Sequence, residues 1–154
     1  MRGLRLRDGD RVAIVGGGPA GAFSALHLLE LARQEGVACQ VDIYEPRDFF
    51  TLGASRTCKG CAGILSAGAL HHMDSLGLTI PPEVVQSELG VYEVHVGGLT
   101  TTIQQPAAGR RIVSVFRGAG PRRRPGVSSA SFDGFLMARA TEAGAHYIRA
   151  RVRK

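Results

Sequence analysis

The stretch RVAIVGGGPAGAFSALHLLELA, residues 11–32, limits the possible fold more than any other part of the chain. A β-branched run enters it, a helix-like run leaves it, and four of the six residues from Gly16 to Gly21 are glycine. Glycine inside regular structure costs roughly 0.5–1 kcal/mol relative to alanine, so so many glycines at one bend answer a demand on the backbone. RVAIVG suits a short, buried parallel strand. Pro19 to about Gln34 reads as a helix. Pro19 sits where a first turn tolerates it, Phe23, Leu26 and Leu29 with Leu28 and Ala32 form the buried stripe, and Gly36 ends the run. CQVDIYE alternates and is β-rich, which predicts a second strand closing at Glu45. Strand, helix and strand within about 35 residues make a right-handed crossover unit of an α/β fold.

The spacing Gly16-x-Gly18-x-x-Gly21 between a strand and a helix is the context that gives this pattern meaning. Gly16 permits the tight turn, Gly18 leaves room for a pyrophosphate against the backbone, and Gly21 lets helix and strand pack closely. Pro19 and Ala20, which carry the bend into the helix, count with the glycines among the expected cofactor-binding residues. Free amides of the first helical turn face the phosphates, and the helix dipole adds about 0.3–1 kcal/mol per favourable charge, up to ~2 in a partly buried site. Glu45, at the tip of the second strand, is positioned to accept hydrogen bonds from an adenosine ribose. Its charge repels a 2′-phosphate and favours a free 2′-hydroxyl. The plain alternative is a glycine turn that only packs a helix onto a sheet. NAD and FAD share the fingerprint, so spacing alone leaves the dinucleotide open.

Downstream, residues 46–60 read as a loop. CAGILSAGALHHMDSLGL predicts a short strand or turn followed by a helix, and VYEVHVGG with TTTIQQP a hairpin meeting at Gly97 and Gly98. RRIVSVFRG reads as a further strand and GAGPRRRPGVSS as a loop. SFDGFLMARATEAG reads as a helix with Phe132, Phe135, Leu136 and Ala140 inward, and AHYIRARVRK as a terminal strand. The whole 154-residue chain is expected to be one dinucleotide-binding domain. The strands at about 90–116 would begin a substrate-side sheet.

The formal charge of +6 comes from arginine, with Arg122, Arg123 and Arg124 in one group and Arg149, Arg151 and Arg153 in another. No aromatic side chains interleave with them to stack bases, so they read as a solvated face and nucleic acid is not an expected partner. Three cysteines, no signal-peptide pattern and no long apolar span point to a reducing, cytoplasmic setting without a transmembrane segment.

GGGPAG near the amino terminus, closed by YE, resembles the opening segment of the two-dinucleotide-binding-domain flavoproteins. CAGILS and SFDGFLMARATEAGA resemble the geranylgeranyl reductase branch, which shares its fold with hydroxylases of the p-hydroxybenzoate hydroxylase type. PPEVVQSELGVYEVHVGG through RIVSVFRGAGPR is similar to a bacterial subgroup known only as FAD-dependent oxidoreductases. The resemblance implies a Rossmann-type FAD-binding fold with an added hairpin and mixed sheet. Gly16, Gly18 and Gly21 would hold the FAD pyrophosphate, Glu45 the adenosine ribose, and Arg56 would lie near the flavin phosphate or ribityl chain. Cys61, Ala62 and Gly63 match a cysteine-glycine segment lining the flavin or substrate side, and Phe132 and Asp133 match a helix-opening pair. The arginine that usually follows that pair is Gly134 here. The family's downstream glycine-aspartate cofactor motif has no counterpart in these residues, so the chain resembles the amino-terminal part of a longer flavoprotein.

Cys58-Lys59-Gly60-Cys61 lacks the second pair that a zinc site needs, and no metal is expected. Beside a flavin the two thiols could form a redox couple, with Lys59 favouring the thiolate. Otherwise Cys61 lines the pocket, as the one candidate for a catalytic role, and Cys58 is incidental. His71, His72, His95 and His146 read as surface or structural residues. The leading expectation is a FAD-dependent oxidoreductase, reductase or monooxygenase, acting on an apolar or aromatic small molecule with NADH or NADPH as donor. A lipid substrate would bring peripheral membrane contact. The alternatives are a dinucleotide-binding module without turnover and a flavin-linked dithiol oxidoreductase using Cys58 and Cys61.

Overall fold

A computed structural model describes residues 5–50, 61, 63–104, 111–117 and 131–153. The chain begins with β1 (Arg11–Val15), α1 (Pro19–Glu35) and β2 (Gln40–Tyr44). The next elements are β3 (Ile64–Leu65), α2 (Ala67–Ser75), β4 (Val85–Glu88), β5 (Val91–Val96) and β6 (Leu99–Gln104). β7 (Val113–Val115), α3 (Phe132–Glu142) and β8 (His146–Ile148) complete the chain. The architecture is mixed α/β, and its organising sheet is parallel, in the order β1-β2-β8.

β2 is central because both of its faces carry residues that leave water: Val41, Asp42 and Ile43 are all buried. Burying a side chain such as Ile43 contributes about 1.5–3 kcal/mol. Asp42 tolerates its place because its carboxylate accepts from Arg11 at 2.8 Å and Gln40 at 2.8 Å and lies 3.1 Å from His146 Nδ1. Those partners tie together the amino-terminal ends of the three strands. At the opposite ends the ladder runs past the strands themselves. Gly16 N donates to the Tyr44 carbonyl at 2.9 Å, and Glu45 N donates to the Ile148 carbonyl at 3.0 Å. The glycine turn and Glu45 are thereby set side by side at the carboxyl edge of the sheet.

α1 and α3 pack on this sheet and on each other. The stripe that α1 buries differs from the expected one: Ala22, Ala25, Leu26 and Ala32 are buried, while Phe23, Leu28 and Leu29 are only partly covered. The helix lies too close to the sheet for large side chains on its nearest line, so alanines take that line and the larger residues flank it. In α3, Phe132, Leu136, Met137 and Ala140 face inward, whereas Phe135 is partly exposed, with the Arg139 guanidinium 6.0 Å from its ring. The terminal strand is also shorter than expected. β8 pairs with β2 only over His146–Ile148, where β2 still offers partners, and Ala150 N turns back to the Ile148 carbonyl.

β3, β7 and β4 form a small antiparallel sheet with a register shift between Val85 and Ser87. β4 was not evident from sequence pattern. α2 starts at Ser66, whose hydroxyl accepts from Ala69 N at 3.2 Å. Among the described residues β5 and β6 pair only with each other, through Gly97 and Gly98. Their register places Tyr92, Val94, Val96, Leu99 and Ile103 on one exposed face and Glu93, His95, Thr100 and Thr102 on the other.

Candidate dinucleotide site

Three of the turn's glycines are required, Gly16 by its own torsion and Gly17 and Gly21 by their neighbours. Gly16 has φ +108°, a conformation that side chains with a Cβ rarely adopt. A Cβ on Gly21 would lie 1.9 Å from the Gly16 carbonyl oxygen, so the helix meets the strand's last turn only because that atom is missing. A Cβ on Gly17 would lie 2.8 Å from Glu45 Cβ and 2.5 Å from Met137 Cε. Sequence spacing marked Gly16 and Gly21 for these structural roles and left Gly17 unassigned.

Gly18 is different. It caps α1 with φ −72° and ψ −177°, an extended conformation open to any residue, and it supplies no side-chain hydrogen bond to the helix. The nearest atom to a Cβ built there is Arg47 Nη2, 3.7 Å away. Pro19 follows at the first helical position, and no acidic side chain occupies the first turn. The positive end of a 17-residue helix therefore opens on a guanidinium-lined space.

Glu45 faces this turn from beneath. Its Oε2 accepts from Gly17 N at 2.8 Å and from Arg47 Nη2 at 2.8 Å. Its Oε1 accepts from Arg47 N and Arg47 Nε, each at 2.9 Å. Burial pushes the Glu45 carboxyl up, but the Arg47 guanidinium and the two amides outweigh it and hold the group at about 2. A pKa depressed below 4.5 means stability that is present above pH 4.5 and lost as pH falls through about 2. Denaturant unfolding between pH 5 and pH 2 should show a loss on the order of 3 kcal/mol from this group. Glu45→Gln should flatten that part of the profile.

Arg47 extends the network. Its Nη1 lies 3.4 Å from Asp133 Oδ2, and its guanidinium lies 4.9 Å from the centre of the Phe49 ring. The Tyr147 hydroxyl donates to the Arg47 carbonyl, which anchors the segment after β2 against β8. Asp133, fully buried in the first turn of α3, also accepts from Arg117 Nε at 2.8 Å and Nη2 at 3.1 Å. The hydrogen bond to Asp133 raises the Arg117 pKa, and Arg117 in turn holds the exposed Cys61 thiol below its ordinary value, helped by Gly63 N at 3.3 Å.

One chain of contacts thus runs from the glycine turn through Glu45, Arg47, Asp133 and Arg117 to Cys61. It joins the glycine turn and Glu45, which sequence reasoning had already paired as one site, to Asp133 and Cys61, which it had read as separate features. The two arginines that join them were missed. Arg47 stands two residues beyond Glu45 and Arg117 closes an apolar strand, and neither position carries a pattern of its own. Arg56, Cys58 and Ala62, and with them the proposed thiol couple, lie outside the described residues.

No protein-family model and no curated protein matches the chain. Among the described residues, no helix is long and apolar enough to cross a membrane.

Proposed function

We propose that the turn at residues 16–21, with Glu45 and Arg47, binds the adenosine diphosphate part of FAD, and that the chain is the dinucleotide-holding part of a Rossmann-type flavin-dependent oxidoreductase. The observation that carries this reading is Gly18. Gly16, Gly17 and Gly21 are each demanded by the chain's own backbone or packing, whereas Gly18 has ordinary torsions and room for a side chain. A glycine that the protein itself does not need, at a helix amino terminus beside a guanidinium, suits a diphosphate lying where the side chain would be.

The surrounding groups fit the same ligand. The α1 amides and Arg47 complement the diphosphate's charge. All four acceptor directions of Glu45 are filled, two by backbone amides and two by the Arg47 guanidinium. The amides would keep the carboxylate oriented if ribose hydroxyls replaced the guanidinium on Glu45, and Arg47 would then be free to hold the phosphates. A 2′-phosphate would meet the Glu45 charge instead, which favours FAD or NAD over NADP at this position. FAD, when bound, supplies the two-electron chemistry, and the protein supplies position and polarity. An apolar or aromatic substrate and a nicotinamide donor follow from the resemblance of GGGPAG, CAGILS and SFDGFLMARATEAGA.

A binding module without turnover is the second reading. It is favoured by the fact that both buried carboxylates of the site, Glu45 and Asp133, are committed to arginines rather than poised for proton transfer.

Quenching of flavin fluorescence during titration tests the proposal. The native chain should bind FAD, and Gly18→Val should bind it at least about a hundredfold more weakly, about 2.7 kcal/mol. Its thermal stability should fall by no more than about 1 kcal/mol, the cost of a poorer helix cap, since a Cβ there makes only an ordinary contact with Arg47 Nη2 at 3.7 Å. Undiminished affinity in Gly18→Val, or none in the native chain, refutes the assignment. Reduction of bound FAD by NADH or NADPH separates the oxidoreductase from the module.

A further inference from the structure

His27 on α1 and His72 on α2 bring their Nε2 atoms to 2.7 Å, with ring centres 4.7 Å apart and planes inclined by 29°. Neither residue belongs to the glycine-turn site. His72 is exposed, and His27 lines an open cleft of about 610 Å³ together with Leu26, Glu30, Arg33 and Ser75. The two helices come from different parts of the fold: α1 covers the parallel sheet, and α2 follows β3 of the antiparallel one.

Two neutral imidazoles can share such a contact only if one presents N–H and the other a lone pair; two N–H groups would collide. A cation replaces that single proton with a partner that uses both lone pairs. Imidazole nitrogens bind zinc at about 2.0–2.1 Å, which for two neighbouring positions around one ion separates the nitrogens by roughly 2.9–3.3 Å. The two rings need to open by only a few tenths of an ångström to reach that spacing. Among the described residues no group of three or more histidine, cysteine or carboxylate ligands gathers, so an ion held by this pair would take its remaining ligands from water and exchange readily.

We propose that His27 and His72 form a two-histidine site for a divalent transition-metal ion that prefers imidazole, namely zinc, nickel or copper, and that the ion ties α1 to α2. Imidazole donors suit these ions, and affinity should rise from nickel to copper along the usual series. The site would let such an ion stiffen the contact between the two halves of the fold.

Isothermal titration of the full chain with Ni²⁺ under reducing conditions is the test, with thermal unfolding as a second readout. The native chain should bind one Ni²⁺ at this site and unfold at a higher temperature with the ion. Removing an outer-shell partner typically weakens metal binding about 10–100-fold, and removing a ligand should cost at least as much. His27→Ala and His72→Ala should therefore each weaken Ni²⁺ binding at least about tenfold and abolish the thermal shift. His71→Ala, one residue away and outside the pair, should leave both intact. Alanine suits a helix, so the variants keep the fold. Native-strength binding in either single variant places the ion elsewhere and overturns the proposal, as does an absence of binding to the native chain.

Discussion

Asp133→Asn is expected to lower the unfolding free energy by about 3–5 kcal/mol, the cost of removing one member of a buried ion pair. Asp133 is 0% exposed, and its carboxylate pairs with Arg117 at 2.8 Å and with Arg47 at 3.4 Å, whose own side chains are only 18% and 26% exposed. The asparagine keeps the shape but loses the charge, so the partly buried Arg117 loses the carboxylate it donates to, while Arg47 keeps Glu45. A domain of this size holds only about 5–15 kcal/mol, so the variant surrenders a large share of its stability. Urea unfolding at neutral pH measures the effect. Glu142→Gln is the control, because the Arg139–Glu142 pair is exposed and should change stability by less than about 1 kcal/mol. A loss at Asp133 no greater than that of the control would mean that Arg117 is satisfied elsewhere and that the network does not hold α3 to the turn.

Gly21→Ala is the second large effect, expected to cost about 3 kcal/mol, at the upper end of the usual range for overpacking. The added methyl would lie 1.9 Å from the Gly16 carbonyl oxygen, 3.0 Å from its carbon and 3.3 Å from Ile14 Cγ2. Two of those atoms are backbone, so no side-chain rotation relieves the contact. α1 must lift from β1, and the alanine stripe of Ala22 and Ala25 loses its close seat on the sheet. The loss should appear in urea unfolding of the ligand-free chain. That separates Gly21 from Gly18, where substitution should cost FAD affinity and change stability far less. The two positions lie three residues apart in one motif and report on different things. If Gly21→Ala unfolds like the native chain, the helix is not held at the distance described.

The regular elements were legible where local chemistry is strong. β1, α1 and β2 follow from a β-branched run, a proline at a first turn and an alternating strand, and the observed bounds depart little from the expected ones. The hairpin at Gly97 and Gly98 was equally plain. The composition of the α1 stripe was not, because periodicity names a face but does not set how near that face lies to the sheet. β4 was missed for a related reason: VQSE has little pattern of its own and becomes a strand by pairing with β7.

The sequence by itself determined the glycine turn, the helix it opens and the acid at the next strand's tip, because torsional freedom, capping and alternation act between residues close in the chain. Only the tertiary structure decided which glycine is free of packing duty. It also decided that Arg47 and Arg117 link Glu45, Asp133 and Cys61, and that His27 meets His72. Those relations join residues as far apart as 86 positions, as Arg47 and Asp133 are. A side chain's reach of a few ångströms becomes meaningful only after the backbone has brought such positions together.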